Sequence, residues 1–317
     1  MARGPVLSMG CKSVHESRQV AIRVGVLMLT LVASHGCALR NSDRAANGSR
    51  EDYVAKVREM ETRARPVPAR TFSPSIEAND EILASALFEL EVAPGPQQHR
   101  RVAERYRELG ISDLAHDHFS RARQLDPTDA EAYEGLARIW RDWGFPHLGL
   151  DDASRAVDFA PAWPVAHNTL GTILAAMGRT VDARREYTRV LTLDPRAAYA
   201  LNNICYLSFL EGEIPRAIDE CRAALEVDPG LTAARNNLAL AYAADQRDDL
   251  ALREFQAAGD PAAAAYNIGI VHMAEGRYAV ASKAFDDASR DRPSWRAARA
   301  RAQNTRVLAA KAGGPSQ

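Results

Sequence analysis

The residues that could carry chemistry in this 317-residue chain are few, and their spacing suits neither catalysis nor metal binding. His116 and His118 are two positions apart, whereas two metal ligands on one helix share a face only at a separation of three or four. Adjacent carboxylates on a helix diverge, which indicates a solvated surface at Asp151–Asp152, Asp248–Asp249 and Asp286–Asp287. The sequence contains no Gly-x-Ser-x-Gly, His-Glu-x-x-His, Cys-x-x-Cys or glycine-rich phosphate motif. It therefore predicts a protein that is not an enzyme and that holds no metal and no cofactor.

Composition narrows the class of protein further. Hydrophobic residues make up 46% of the chain, which excludes disorder of the whole. Forty basic and forty-one acidic residues leave a formal charge of −1, which argues against binding of nucleic acid or of an anionic membrane by bulk electrostatics. Four cysteines are too few to staple a chain of this length.

Residues 1–36 predict a signal peptide. The basic residues Arg3, Lys12, Arg18 and Arg23 precede the apolar run 24–33. Ten residues in a helix cover about half of the ~30 Å hydrocarbon core, so a stable membrane span is the poorer interpretation. Cys37 follows the run and resembles a bacterial lipoprotein processing site, which predicts lipidation at Cys37. Ordinary cleavage into the periplasm and a start at Met9 remain alternatives.

Residues 37–79 are polar, rich in arginine and interrupted by prolines, and they predict a lipid-anchored tether. Within the tether, Glu51–Arg65 could form a short helix. Its apolar stripe is too narrow to be buried independently, so we expect order there only on contact. The stripe consists of Tyr53, Val54, Val57 and Met60.

Small residues recur at intervals of 34 residues through the rest of the chain, with one final interval of 30. One series is Ala103, Ala137, Gly171, Cys205, Ala239 and Gly269. A second is Ala115, Gly149, Ala183, Ala217, Ala251 and Ala281. Prolines close most units, at Pro127, Pro161, Pro195, Pro229 and Pro293. Small residues at fixed positions let paired helices approach closely, and proline ends each pair.

This pattern resembles the tetratricopeptide repeat family, whose 34-residue unit is a pair of antiparallel helices. The resemblance implies an all-α fold, a right-handed superhelical solenoid of about six helix-turn-helix repeats with capping helices. The repeats would span residues 98–293, with units ending near 127, 161, 195, 229, 261 and 293. Residues 80–97 would hold the N-terminal capping helix, and residues 294–317 the C-terminal capping helix and tail.

The resemblance also implies an inner groove lined by the first helix of each repeat. Its residues are charged in repeats one and two and neutral afterwards. Stacked asparagines can hold the backbone of an extended peptide, since a carboxamide both donates and accepts, and aromatic residues beside them would form a pocket. Asparagine is also common at these positions of the family without a ligand. The predicted peptide-binding residues are Asn168, Thr172, Tyr199, Asn202, Asn203, Tyr206, Phe209, Asn236, Asn237 and Asn267.

Cys205 and Cys221 fall in one predicted hairpin, at a small position and a packing position. Two interpretations stay open: buried thiols, or a disulfide formed after export.

These features together predict an exported, lipid-anchored scaffold or adaptor that binds a protein or peptide and no nucleic acid. We expect it on the periplasmic side of the outer membrane or in the cell envelope, with a soluble periplasmic protein as the alternative. Leader and repeats together look like the accessory lipoproteins of pilus and secretion systems, including the tight-adherence type. The alternatives are a structural scaffold of the envelope and a non-catalytic subunit of an enzyme complex that acts on glycans or peptidoglycan.

Overall fold

A computed structural model describes residues 80–312 of the chain. The predicted signal peptide, Cys37 and the tether lie outside the described residues. Within residues 80–312 the structure contains fourteen α-helices and no strand, which confirms the predicted all-α fold class. None of these fourteen helices has both the length and the apolar character needed to cross a membrane.

The described residues form two compact units. The N-terminal unit, residues 80–179, contains six helices. They are α1 (Glu81–Val92), α2 (Pro96–Glu108), α3 (Ser112–Leu125), α4 (Ala130–Asp142), α5 (Leu150–Phe159) and α6 (Pro164–Ala176). Helix α2 packs against α3, and α4 against α5, as helical hairpins.

The C-terminal unit, residues 180–312, contains the other eight helices. They are α7 (Thr180–Leu193), α8 (Ala198–Glu211), α9 (Ile214–Val227), α10 (Thr232–Ala244), α11 (Asp248–Ala258), α12 (Pro261–Ala274), α13 (Tyr278–Asp291) and α14 (Arg296–Ala312). The hairpins are α8 with α9, α10 with α11 and α12 with α13, and α14 packs against α13. Helix α11 has 11 residues against 14 in α9 and α13, because the sequence of this repeat is shorter.

Local sequence sets where these helices begin. Three helices start with an aspartate whose carboxylate accepts a hydrogen bond from a backbone N–H of the first turn. Asp80 accepts from Leu83 at 2.8 Å, and Asp260 accepts from Ala263 at 3.0 Å. Asp129 caps α4 in the same way and is itself buried.

The turns inside the hairpins use glycine in the left-handed region, which L side chains rarely adopt. Gly212 ends α8 at φ 77°, and the same conformation recurs at Gly110, Gly144, Gly178 and Gly276. Gln246 takes this place in the turn after α10, at φ 59°. It is the single non-glycine residue with positive φ between residues 80 and 312.

The small residues of the repeat lie where helices cross. Ala103, Ala137, Cys205 and Ala239 are fully buried. A Cβ atom added to Gly269 would lie 2.8 Å from the Phe285 ring, so the first and second helices of this hairpin meet only because that position is glycine.

Candidate functional site

The first helices of the repeats form the inner layer of each unit. In the N-terminal unit α4 contacts both α2 and α6, and in the C-terminal unit α10 contacts both α8 and α12. The surfaces of α2, α4 and α6 are called here the N-terminal inner face. Those of α8, α10 and α12 are the C-terminal inner face. The ten predicted peptide-binding residues divide between them, with Asn168 and Thr172 on α6 and the other eight on α8, α10 and α12.

A continuous ionic network crosses the N-terminal inner face. Glu104 of α2 accepts a hydrogen bond from Arg107 at 2.9 Å and forms an ion pair with Arg138 of α4. Arg138 also lies 2.9 Å from Glu134 of its own helix. The Thr169 hydroxyl of α6 donates to Glu134 at 2.6 Å, so the network links three consecutive first helices.

Glu134 is the least accessible member of this network. Its side chain is 3% exposed, and burial raises the pKa of its carboxyl, while Arg138 opposes that shift. Taking a carboxylate out of water is costly unless a cation and hydrogen bonds compensate it, as Arg138 and Thr169 do here. The charge of Glu134 is therefore structural.

Thr172, predicted to line a groove, is held in the same network. Its hydroxyl donates to the Thr169 carbonyl at 2.8 Å and accepts from Arg141 at 3.1 Å. Asn168 is half-buried on the same helix. The charges that sequence reasoning assigned to the inner positions of repeats one and two thus pair largely with one another.

The C-terminal inner face carries amides in place of ion pairs. Asn237 of α10 donates from Nδ2 to Oδ1 of Asn202 on α8 at 2.9 Å. Asn202 is buried, whereas Asn236, Asn237 and Asn267 are half-buried and reach the surface. The structure thus brings two predicted asparagines into direct contact across neighbouring helices.

Two tyrosines lie on the same first helix as Asn202. Tyr206 is half-buried against the core, and burial raises the pKa of its phenol to about 12. Tyr199 is 36% exposed, and burial together with the Asp194 charge raises the pKa of its phenol. Both side chains are neutral hydrogen-bonding phenols near pH 7, with an apolar ring for packing.

Phe209, predicted to belong to this apolar pocket, is a correction. It is 1% exposed and lies in the core with Ile214 and Ala217, so it presents no surface to a ligand. Phe209 follows Cys205 by four residues, and residues four apart share a helix face. It therefore shares the buried face of Cys205 rather than the surface of Tyr206.

Cys205 and Cys221 form a disulfide between α8 and α9, with their Cα atoms 5.2 Å apart. Both residues are fully buried. Beside them, Arg184 of α7 donates to Ser208 at 3.1 Å and to Glu211 at 2.6 Å. No spacing signal in the sequence pointed to this polar network.

The histidines are arranged differently from the pair that sequence reasoning considered. His118 Nδ1 lies 3.0 Å from His99 Nδ1 on the neighbouring helix, whereas His116 packs against the Trp140 and Trp143 rings. Burial lowers the pKa of His118 to about 4, with a smaller contribution from His99. Burial also lowers the pKa of His99. Between residues 80 and 312, no three histidine, cysteine or carboxylate side chains are grouped as a metal site would need.

One of the paired carboxylates is also a correction. Asp152, expected on a solvated face, is 6% exposed and accepts a hydrogen bond from Arg123 at 3.0 Å. The second helix of one repeat packs close enough to the next for this contact. Asp248 and Asp286 remain partly exposed and pair with Arg277 and Arg306.

Comparison with known proteins places this geometry in context. Residues 168–232 match the family model described as "Tetratricopeptide repeat". A search of the sequences of curated proteins found no match.

Solved structures share the fold over most of the chain. A tetratricopeptide repeat protein from Parabacteroides merdae is 13% identical with a TM-score of 0.56, covering 71% of this chain and 91% of that one. PilF of Pseudomonas aeruginosa is 15% identical with a TM-score of 0.52, covering 67% and 96%. The Cut9–Hcn1 hetero-tetramer of the APC/C is 16% identical with a TM-score of 0.59, covering 71% and 46%. At these identities the likeness shows the fold alone.

Proposed function

We propose that this tetratricopeptide-repeat chain is a non-catalytic scaffold that binds an extended segment of a partner protein along its C-terminal inner face. The carrying observation is the bond from Asn237 to Asn202, which aligns carboxamides across two consecutive first helices. Because Asn237 donates through Nδ2, its Oδ1 points away from Asn202 and can accept a backbone N–H from a ligand. A row of neutral amides suits the alternating N–H and C=O groups of an extended chain.

The two inner faces differ in what a ligand would have to displace. On the N-terminal inner face, a ligand would have to break ion pairs such as Arg138 with Glu104 and with Glu134. The half-buried Asn236, Asn267 and Tyr206 of the C-terminal inner face are neutral, so a ligand can bind them at a smaller desolvation cost. Tyr206 adds a rigid aromatic ring, the residue type enriched where partners bind most tightly.

A displayed library of randomised twelve-residue peptides tests the proposal on the full chain. We expect selection of peptides that bind the wild type and that bind Tyr206→Ala or Asn236→Ala with Asn267→Ala at least tenfold more weakly. Val181 is 72% exposed on α7, so Val181→Ser is the matched control and should leave binding unchanged. Failure to enrich any peptide, or equal binding by all variants, would refute the proposal.

Export with a lipid anchor at Cys37 is the second part of the proposal. Its support is the disulfide of Cys205 and Cys221, because disulfides form and persist mainly in oxidising compartments outside the cytosol. Growth with a radiolabelled lipid precursor should label the wild-type chain and leave Cys37→Ser unlabelled. Equal labelling of the two chains would refute the anchor, and detection of the chain only in the cytosol would refute export.

We further propose a place in the assembly of a secretion or pilus apparatus. The support is the combination of a lipoprotein-like leader with repeats of this fold, which is an argument from architecture. Among the solved structures of similar fold, one is PilF and one is a hetero-tetramer. The neighbouring genes provide the test: secretin and pilin genes beside this one are expected, and their absence would remove the support for this pathway.

A further inference from the structure

Helix α1 exposes an apolar face that no described helix covers. Ile82, Phe88 and Val92 are 63%, 65% and 67% exposed. The opposite face packs on α2 through Leu83 and Ala86, which are buried. A helix that is apolar on two sides is normally covered on both, since exposed apolar area of this kind is costly in water.

The repeat register explains why one side of α1 is uncovered. Leu83, Leu87 and Leu90 lie 32 residues before Ala115, Phe119 and Ala122, the buried positions of the second helix α3. Helix α1 therefore takes the place of a second helix whose first helix is missing.

The sequence directly before α1 cannot supply that first helix. The stretch that lies 32 residues before α2 is 64–76, and it contains Pro66, Pro68 and Pro74. Proline inside a helix removes a backbone hydrogen bond and clashes with the preceding turn.

A cavity of about 800 Å³ lies beside the uncovered face, between α1 and α2. Ile82, Ser85 and Glu89 line it from α1, and Arg101 and Glu108 are among its residues on α2. The same cavity thus borders both helices that the first helix of a hairpin would contact.

We propose that residues 51–65 of this chain occupy this face and complete a hairpin with α1. This segment, which lies outside the described residues, is the nearest upstream stretch without proline. Its apolar residues are spaced for one helix face, and their contact with the α1 face would bury both stripes. They are Tyr53, Val54, Val57 and Met60.

The connecting chain is long enough. Residues 66–79 can extend to about 46 Å, whereas α1 is about 18 Å long, so the segment can reach any point along the helix. Attachment through a short linker gives a high effective concentration, which favours a weak apolar contact over the same contact between separate molecules.

Charge favours this segment over a second copy of α1 as the occupant. Helix α1 carries Glu81, Glu89 and Glu91 and no basic residue, so two copies packed face to face would bring like charges together. Residues 51–65 include four basic side chains among their acidic ones.

Hydrogen exchange on the full chain, read peptide by peptide, tests the proposal. We expect amides of residues 51–65 to exchange at least tenfold more slowly than an unstructured chain, at a rate independent of protein concentration. Phe88→Ser, and separately Val57→Asp, should abolish this protection while α2 to α4 keep theirs. Val181→Ser, which removes an equally exposed apolar residue from α7, should change nothing.

Two results would overturn the proposal. One is exchange of residues 51–65 at the unstructured rate in the wild type. The other is protection of the α1 face that rises with protein concentration in parallel with a dimeric mass, which would assign the face to a second copy.

Discussion

The inner faces of the two units share a backbone design and differ in chemistry. On the N-terminal inner face, Glu104, Glu134 and Arg138 pair with one another across neighbouring helices. On the C-terminal inner face, Asn202 and Asn237 bond through neutral amides. The contrast teaches that the repeat fixes where a first helix lies, while the residues at its inner positions decide whether the surface is satisfied internally or offered to a ligand.

The units also differ in what holds their helices together. In the C-terminal unit a disulfide joins α8 to α9, and Arg184 ties α7 to α8. In the N-terminal unit the corresponding polar contacts are the buried pair of Glu134 and Arg138 and the pair of His99 and His118. One unit should therefore respond to reductant and the other to pH.

The largest effect is expected from Arg138→Met. It leaves the buried Glu134 carboxylate without its cation, which should cost about 3 kcal/mol of the free energy of unfolding of the N-terminal unit. Urea unfolding followed by hydrogen exchange of each unit measures this loss. The double variant with Glu134→Leu should recover most of the stability, and an unchanged stability of Arg138→Met would show that the pair is not structural.

Removing the disulfide should have the next largest effect, confined to the C-terminal unit. The crosslink closes a loop with a sequence separation of 16, for which the chain-entropy estimate is about 3 kcal/mol. Cys205→Ala with Cys221→Ala should lose about 2 to 3 kcal/mol in the same unfolding experiment, and reductant should then have no further effect on this unit. Equal sensitivity of wild type and variant to reductant would contradict this.

The pair of His99 and His118 should make the N-terminal unit sensitive to acid. Both folded-state pKa values are lowered from about 6.5, that of His118 to about 4, so the unfolded chain binds more protons between these values. This contribution to stability is present above pH 6.5 and is lost as the pH falls towards 4. The titratable and charged groups that act on the pair are Asp117 and Arg121.

His118→Gln isolates this effect. The stability difference between wild type and variant should change by about 1 to 2 kcal/mol between pH 7 and pH 4.5, measured by urea unfolding of the N-terminal unit. A difference that is constant with pH would show that the histidine pair does not titrate as proposed.

The smallest effect is expected at the turn after α10. Gln246→Gly removes the cost of a left-handed conformation for a residue with a side chain and should stabilise the C-terminal unit by about 0.5 to 1 kcal/mol. Gln246→Ala is the control, because alanine keeps the strain. A gain of the same size in both variants would place its origin elsewhere than in backbone strain.

Sequence predicted the hairpins well because their physical requirements are local or periodic. A small residue at Ala103 or Cys205, a glycine such as Gly212 and a proline at the end of a unit each report a constraint that recurs with the repeat. A single sequence therefore shows helices, turns and order without any knowledge of how repeats stack.

The candidate site could be predicted only in part, because its contacts depend on the rotation and stacking of helices. The Asn237–Asn202 bond and the burial of Asp152 by Arg123 join residues 35 and 29 positions apart. Phe209 differs from Tyr206 only by the face on which it lies, and an error of one helical position exchanges core for surface.

The most direct test of the central claim is the response of asparagine side-chain amides to a bound peptide. NMR spectra of the full chain, recorded while a peptide selected on the wild type is added, report each carboxamide separately. We predict shifts at Asn236, Asn237 and Asn267 of the C-terminal inner face and none at Asn168 of the N-terminal inner face. Shifts confined to Asn168, or no shift at any asparagine when the peptide is bound, would contradict the account.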